Sequence, residues 1–153
     1  MNAGNNAWGF SNDDAFTFAA WVYFDGNDGH VVSITNERAT MSIGTLSVNS
    51  GQLGCRMDDG SNGSAVSSGT SFPTSSWTHA AVTFDGLTVR VYQDASEKNS
   101  GSDSYATVSA DSGFGADPHS PNRSISADID DVRVYNRALS SGEIDTIYNR
   151  YSF

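Results

Sequence analysis

Asp128-Ile129-Asp130-Asp131-Val132-Arg133-Val134-Tyr135-Asn136-Arg137-Ala138-Leu139-Ser140-Ser141-Gly142-Glu143-Ile144 reads as a strand, a turn and the start of one short helix. Val132 and Val134 alternate with Arg133 and Tyr135, the period-two pattern of a half-buried strand. Ile129 lies three residues before Val132, so the parity slips between them. A bulge at Asp130-Asp131 is one way to keep all three branched side chains inward. Ser140 and Glu143 match the S-x-x-E capping box, which satisfies orphan N–H groups at a helix start. Ile144, Ile147, Tyr148 and Tyr151 follow at i, i+3, i+4 and i+7, which predicts a helix near Ser141 to Tyr148 with one apolar face.

The run from Ile129 to Ser140 resembles the closing motif of laminin-G-like domains in the concanavalin A-like lectin/glucanase superfamily. Two further blocks occur in the right order. Phe16 to Val22 looks like the family's early core strand. Trp77 to Gly86, followed by Val89 to Asp94, looks like its central hairpin. The resemblance covers most of the chain. It implies an all-β fold, a jelly-roll sandwich of two antiparallel sheets with one short C-terminal helix, and binding more readily than catalysis. It also implies a structural Ca²⁺, because the first Asp of this closing motif, here Asp130, often serves the family's metal site. Near that metal the family often carries an Asp-Gly pair; this chain has Asn2, Gly4, Asn5 and Asn6 in that neighbourhood. A carboxylate placed where the apolar parity slips also needs a partner, and Ca²⁺ takes about six to eight oxygens. Backbone oxygens of Asn2 to Gly4 complete such a shell if the first strand lies beside the last. The alternative is that Asp130 and Asp131 bond loop N–H groups.

A chain of 153 residues is most simply one domain, 1–153, able to bury a core. Lys plus Arg number 8 against 18 Asp plus Glu, a net charge of −10. Nucleic acid and anionic membrane surfaces are repelled by that balance. No apolar run is long enough for membrane insertion. The excess of Asp suits turns, Ca²⁺ ligation or a saline habitat. Cys55, the single cysteine, excludes an internal disulfide; between Leu53 and Met57 it is expected to be buried and inert. The sequons at Asn62 and Asn122 matter only in a chain secreted by a eukaryotic cell.

Along the chain, Ala7 to Phe10 is expected to be a short first strand. Phe16 to Phe24 carries Phe16, Phe18, Ala20, Val22 and Phe24 on one face and Trp21 and Tyr23 on the other, so both sides are expected to be partly covered. Val31 to Thr35, Met41 to Val48 and Gln52 to Met57 read as strands. Asp58 to Thr70 reads as a long mobile loop. Trp77 to Phe84 and Leu87 to Gln93 form a hairpin over Asp85-Gly86. Asp94 to Asp103 reads as a polar turn, Tyr105 to Ser109 as a strand, and Asp111 to Asn122 as a second loop.

Glycoside hydrolysis needs two opposed carboxyls, about 5–5.5 Å apart for retention. The glutamates are Glu37, Glu97 and Glu143, none near another, and Glu143 is explained as a cap. The Asp pairs are adjacent, and adjacent strand residues point to opposite faces. The chain is therefore not expected to be an enzyme. Cys55 with His30, His79 or His119 forms no nucleophile motif, and His79 beside Trp77 reads as a packed histidine. Asp25-Gly26-Asn27-Asp28-Gly29 starts like a calcium loop but lacks the spaced Glu, so it reads as a hairpin turn.

Recognition through rim loops remains. Sugar binding needs polar groups for hydroxyls and an aromatic face for the C–H surface. Asp58, Asp59, Asn62, Phe114, His119 and Asn122 supply both. The expected function is a non-catalytic carbohydrate-binding or adhesion module, with a glycan or surface protein as partner and a structural calcium ion. Its setting would be extracellular, on a cell surface or on a virion. The alternative is a structural or decoration module with no sugar ligand; oligomeric state is open.

Overall fold

The computed structural model describes residues 2–5, 8–34, 38–45, 47–106, 111–116 and 121–151. Among them are strands β1 (Asn2–Asn5), β2 (Phe16–Asn27), β3 (Gly29–Ile34), β4 (Ala39–Ile43), β5 (Gln52–Asp58), β6 (Gly63–Ser71), β7 (Trp77–Phe84), β8 (Thr88–Gln93), β9 (Ser96–Ser102), β10 (Asp111–Phe114) and β11 (Ser126–Tyr135). One helix, α1 (Ser141–Tyr148), follows. The strands form two antiparallel sheets, a six-stranded one in the order β1-β10-β3-β4-β5-β6 and a five-stranded one in the order β11-β2-β7-β8-β9. This is the jelly-roll sandwich that the sequence predicts.

Period-two alternation builds the core. Phe16, Phe18, Ala20, Val22 and Phe24 of β2 face Met41 and Ile43 of β4 and Leu53, Cys55 and Met57 of β5 in one apolar cluster. Phe16 stacks on Phe18 with centroids 4.4 Å apart. Tyr105 closes one end of this core, its ring edge-on to Phe16 and its hydroxyl donating to the Asp14 carbonyl at 3.0 Å. Burial pushes the Cys55 thiol well above its ordinary value, which keeps it protonated and inert.

The bulge lies where the parity slips. The β11–β2 register shifts between Asp130 and Arg133, and Asp131 adopts φ 47°. Ile129, Val132 and Val134 thereby all pack on the core. The extra residue also turns Arg133 to the same face as Asp130, opposite Ala19 and Trp21 of β2, whereas a regular strand would separate them.

α1 begins with the capping box: Ser140 Oγ accepts from the Glu143 N–H, and Glu143 accepts from the Ser140 N–H. Ile144 and Ile147 pack with Leu139 on Ala19, Ala81 and Tyr92, the outer face of the five-stranded sheet. Thr17 fixes the approach, donating to the Arg137 carbonyl at 2.8 Å and accepting from the Leu139 N–H at 2.9 Å. The helix ends at Tyr148 with Asn149 as C-cap, so Tyr151 lies beyond it and is 47% exposed rather than part of its apolar face.

Polar edges depart most from the sequence reading. The expected loop at 58–70 is a tight turn followed by β6, and the expected turn at 94–103 contains β9. Asp94 and Ala95 take φ 47° and 61°, the paired positive values of a tight hairpin. Both strands are rich in Ser and Gly and lie at sheet edges, so no apolar alternation marks them. They close one side of the sandwich together: Asn99 Nδ2 donates to the Ser67 carbonyl at 2.8 Å, and Ser64 Oγ to Asp103 at 2.6 Å. The expected loop at 111–122 contains β10. The first strand is Asn2–Asn5, and Trp8 sits in a turn, not in the strand expected at 7–10. Tyr105 and Ala106 are irregular, and 107–109 lie outside the described residues.

Candidate functional site

Alternation on β2 turns Thr17, Ala19, Trp21 and Tyr23 to the outer face of the five-stranded sheet. The segment before α1 bonds Thr17 through Arg137 and Leu139, α1 packs on Ala19, and Tyr148 ends its reach by stacking on Trp21 with centroids 5.5 Å apart. Tyr23 lies one step further on. Its cross-strand neighbours are Asp128 of β11 and Trp77 of β7. The Tyr23 and Trp77 rings meet edge to face, with centroids 5.8 Å apart and planes at 64°. Both are half-buried.

Beside this row is a shallow depression of about 450 Å³ lined by Tyr23, Asp25, Ile125, Ser126, Ala127 and Asp128. Asp25 accepts from the Ser126 hydroxyl and from the Asn27 N–H at 3.0 Å. These two bonds hold its carboxyl below the usual value. Asp128 is exposed, and its carboxylate has no hydrogen-bond or ion-pair partner among the described residues; nor does the Tyr23 hydroxyl. The row thus offers an aromatic surface, a free phenol and a free carboxylate side by side. Recognition of a sugar ring calls for groups of these kinds, an aromatic face for its C–H surface and polar groups for its hydroxyls.

Under α1 lies His79, 2% exposed, with ring centroids 5.3 Å from Trp21 and 5.9 Å from Tyr148. Burial pushes its imidazole down to about 4, with Asp131 working against that shift and Arg133 with it. His79 is a packing residue, in line with the sequence reading.

The residues expected to bind ligand are divided between the two ends of the sandwich. Asp58 sits between Arg38 at 2.7 Å and Arg56 at 2.8 Å. Partial burial raises its carboxyl, but the Gly60 N–H and the two guanidinium groups outweigh that and hold it below the usual range. Asp59 accepts from the Ser61 and Asn62 N–H groups, both at 2.7 Å. These carboxylates build the β5–β6 turn, and Asn62 is exposed on it. Phe114 pairs with Val32 toward the other end of β3, its ring 5.4 Å from Trp8. Asn122 is exposed in a 3-10 turn, Pro121–Arg123. His119 lies outside the described residues.

For calcium, Asp130 is exposed and accepts the Asp131 N–H at 2.7 Å, the alternative weighed from the sequence. Asp131 pairs with Arg133 at 2.8 Å. Asn2 and Gly4 lie on β1, which pairs with β10 at the edge of the six-stranded sheet and not with β11. β1 and β11 are thus edge strands of different sheets and are not hydrogen-bonded to each other. No group of three His, Cys, Asp or Glu side chains suited to a metal occurs among the described residues. Of the glutamates, Glu143 is bound to Arg137 at 2.7 and 2.9 Å, and Glu97 accepts from the Tyr92 hydroxyl at 3.4 Å; Glu37 lies outside the described residues.

Sequence reasoning did not single out the Tyr23 row. The parity of β2 already set Tyr23 with Trp21 on the outer face, which was the available signal. Pairing with Trp77 and Asp128 depends on strand register, which no local pattern specifies.

A two-sheet antiparallel sandwich closed by a bulged strand and a docked helix defines a jelly-roll domain of the lectin-like class. The chain belongs to the concanavalin A-like lectin/glucanases superfamily, whose family model matches residues 3–145. Its fold is similar to the binding domain of Paraclostridial Mosquitocidal Protein 1, at 17% identity and a TM-score of 0.70, over 92% of this chain and 38% of that one. It is also similar to domain 4 of AbnA, a GH43 extracellular arabinanase from Geobacillus stearothermophilus, in complex with arabinotriose. There the identity is 20% and the TM-score 0.68, over 91% of this chain and 68% of that one. A third likeness is to the native heptameric SAP-like pentraxin from Limulus polyphemus, at 15% identity and a TM-score of 0.65, over 91% and 73%. No curated protein matches the chain in sequence. Among the described residues no helix is long and apolar enough to cross a membrane.

Proposed function

We propose that this chain is a non-catalytic sugar-binding module that acts outside the cell and holds its ligand on the Tyr23–Trp77–Asp128 row. The observation that carries this reading is the Asp128 carboxylate and Tyr23 hydroxyl, both without a partner among the described residues, beside a half-buried aromatic pair. Two of the similar structures support it, one a binding domain and the other a domain in complex with arabinotriose.

A glycan array followed by calorimetry tests it. Wild type should give a selective hit. Tyr23→Ala and Asp128→Asn should each weaken that hit by about tenfold, or about 1.4 kcal/mol, with unchanged circular dichroism. Asn62→Ala and Asn122→Ala should leave it intact; loss in those two alone would move the site to the loops first expected. An array with no selective hit would leave the structural-module reading. Binding without cleavage is the further expectation: the pure protein should release no reducing ends from common polysaccharides. A structural Ca²⁺ at Asp130 is a separate part of the proposal, with a single carboxylate to support it and its other oxygens drawn from backbone and water.

A further inference from the structure

We infer that the Tyr23–Trp77 row favours a sugar bearing a protonated amine, such as a glucosamine oligomer, over its N-acetylated or acidic counterpart. This inference rests on the sugar-binding reading above. Charge is the first reason. Asp25 and Asp128 line the depression, Asp130 is the next outward residue of β11, and no described residue that lines it is basic. Arg38, Arg56, Arg90, Arg133 and Arg137 are paired with carboxylates, Arg133 on the same face of β11 as Asp130 but held by Asp131, and among the described residues none of Lys98, Arg123 and Arg150 lines the depression.

The second reason is what an ammonium gains there that a hydroxyl does not. The free Asp128 carboxylate would form a charge-assisted hydrogen bond with it, about twice as strong as a neutral one. The neighbouring Tyr23 and Trp77 rings attract a cation through their electron-rich faces. An N-acetyl group keeps the sugar's shape but loses both gains. A uronate or sulfate would meet Asp128 and Asp25 with like charge on a chain of net charge −10.

Calorimetry with a glucosamine oligomer of fixed length and its N-acetylated form tests this, below and above the amine's pKa and at low and high NaCl. The amine form should bind about tenfold tighter at low salt and low pH. That preference should shrink above the amine's pKa and in high salt. Asp128→Asn should bring the two affinities together, while Tyr23→Ala should weaken both. Asp103→Asn, at the opposite end of the sandwich, should change neither. Equal or tighter binding of the N-acetylated form overturns this inference and leaves the sugar-binding reading standing. An equal loss in Asp103→Asn overturns it too, because the attraction would then be to the acidic surface at large. If neither oligomer binds and the array shows no other sugar, both readings fall together.

Discussion

His79 shows how one buried side chain writes a pH dependence into the fold. Burial between Trp21 and Tyr148 lowers its imidazole from 6.5 to about 4. A group whose folded value is depressed stabilises the fold above its unfolded value and loses that contribution as pH falls through the folded one. Stability should therefore decline from about pH 6.5 down to about pH 4, by up to about 3 kcal/mol. Denaturant titrations of wild type and His79→Phe across that window should diverge in slope, with the variant flatter. Parallel curves would show that His79 is not held neutral. The packing of His79 was legible from its place inside an apolar strand beside Trp77. So was the pairing of Ser140 with Glu143, because a capping box is spelled within four residues. The partners of Tyr23 were not legible, since Trp77 and Asp128 reach it only through two strand registers.

At the scale of elements, β11 and α1 act as one closing unit. Ile144 is fully buried and Ile147 nearly so against the outer face of the five-stranded sheet. Ile144→Ala should destabilise the fold by about 2–5 kcal/mol, and Ser140→Ala by about 1 kcal/mol. Equilibrium denaturation reads both, and an Ile144→Ala midpoint within error of wild type would mean the helix is not docked. Gly29 tests the entry to β11 in the same way. A Cβ there would clash with the Ile125 backbone, so Gly29→Ala forces strand β3 and that segment apart. Its expected cost is about 1–3 kcal/mol. The closing unit could be read before its fold was known because bulge, cap and apolar stripe are all local patterns. Strands β6 and β9 could not. They are held by backbone pairing to β5 and β8, and most of their residues are small or polar and exposed, so sequence shows only what resembles a loop. The order of strands within each sheet is likewise non-local. That is why the pairing of β1 with β10 was not foreseen.

For the whole molecule, the governing quantity is a net charge of −10. Several carboxylates collect at the end of the sandwich where Asp58, Asp85 and Asp103 lie, two of them tied to arginines and the third to Ser64. Self-repulsion of this kind weakens the compact state and is relieved by screening. Thermal unfolding in rising NaCl should therefore show a gradual upward shift. Calcium would act differently if Asp130 ligates it. Specific binding saturates, and a ligand at about 100 times its dissociation constant stabilises the folded state by roughly 2.7 kcal/mol. The decisive comparison sets CaCl₂ against NaCl at matched ionic strength, on protein first stripped with chelator. Under the calcium proposal wild type gains a saturable shift in CaCl₂ beyond the NaCl curve. Asp130→Ala loses that extra shift and keeps the screening response, while Asp131→Ala keeps both, at a lower baseline because its ion pair with Arg133 is gone. Superimposed CaCl₂ and NaCl curves for the wild type would remove calcium from the account and leave screening as the only ionic effect on this fold.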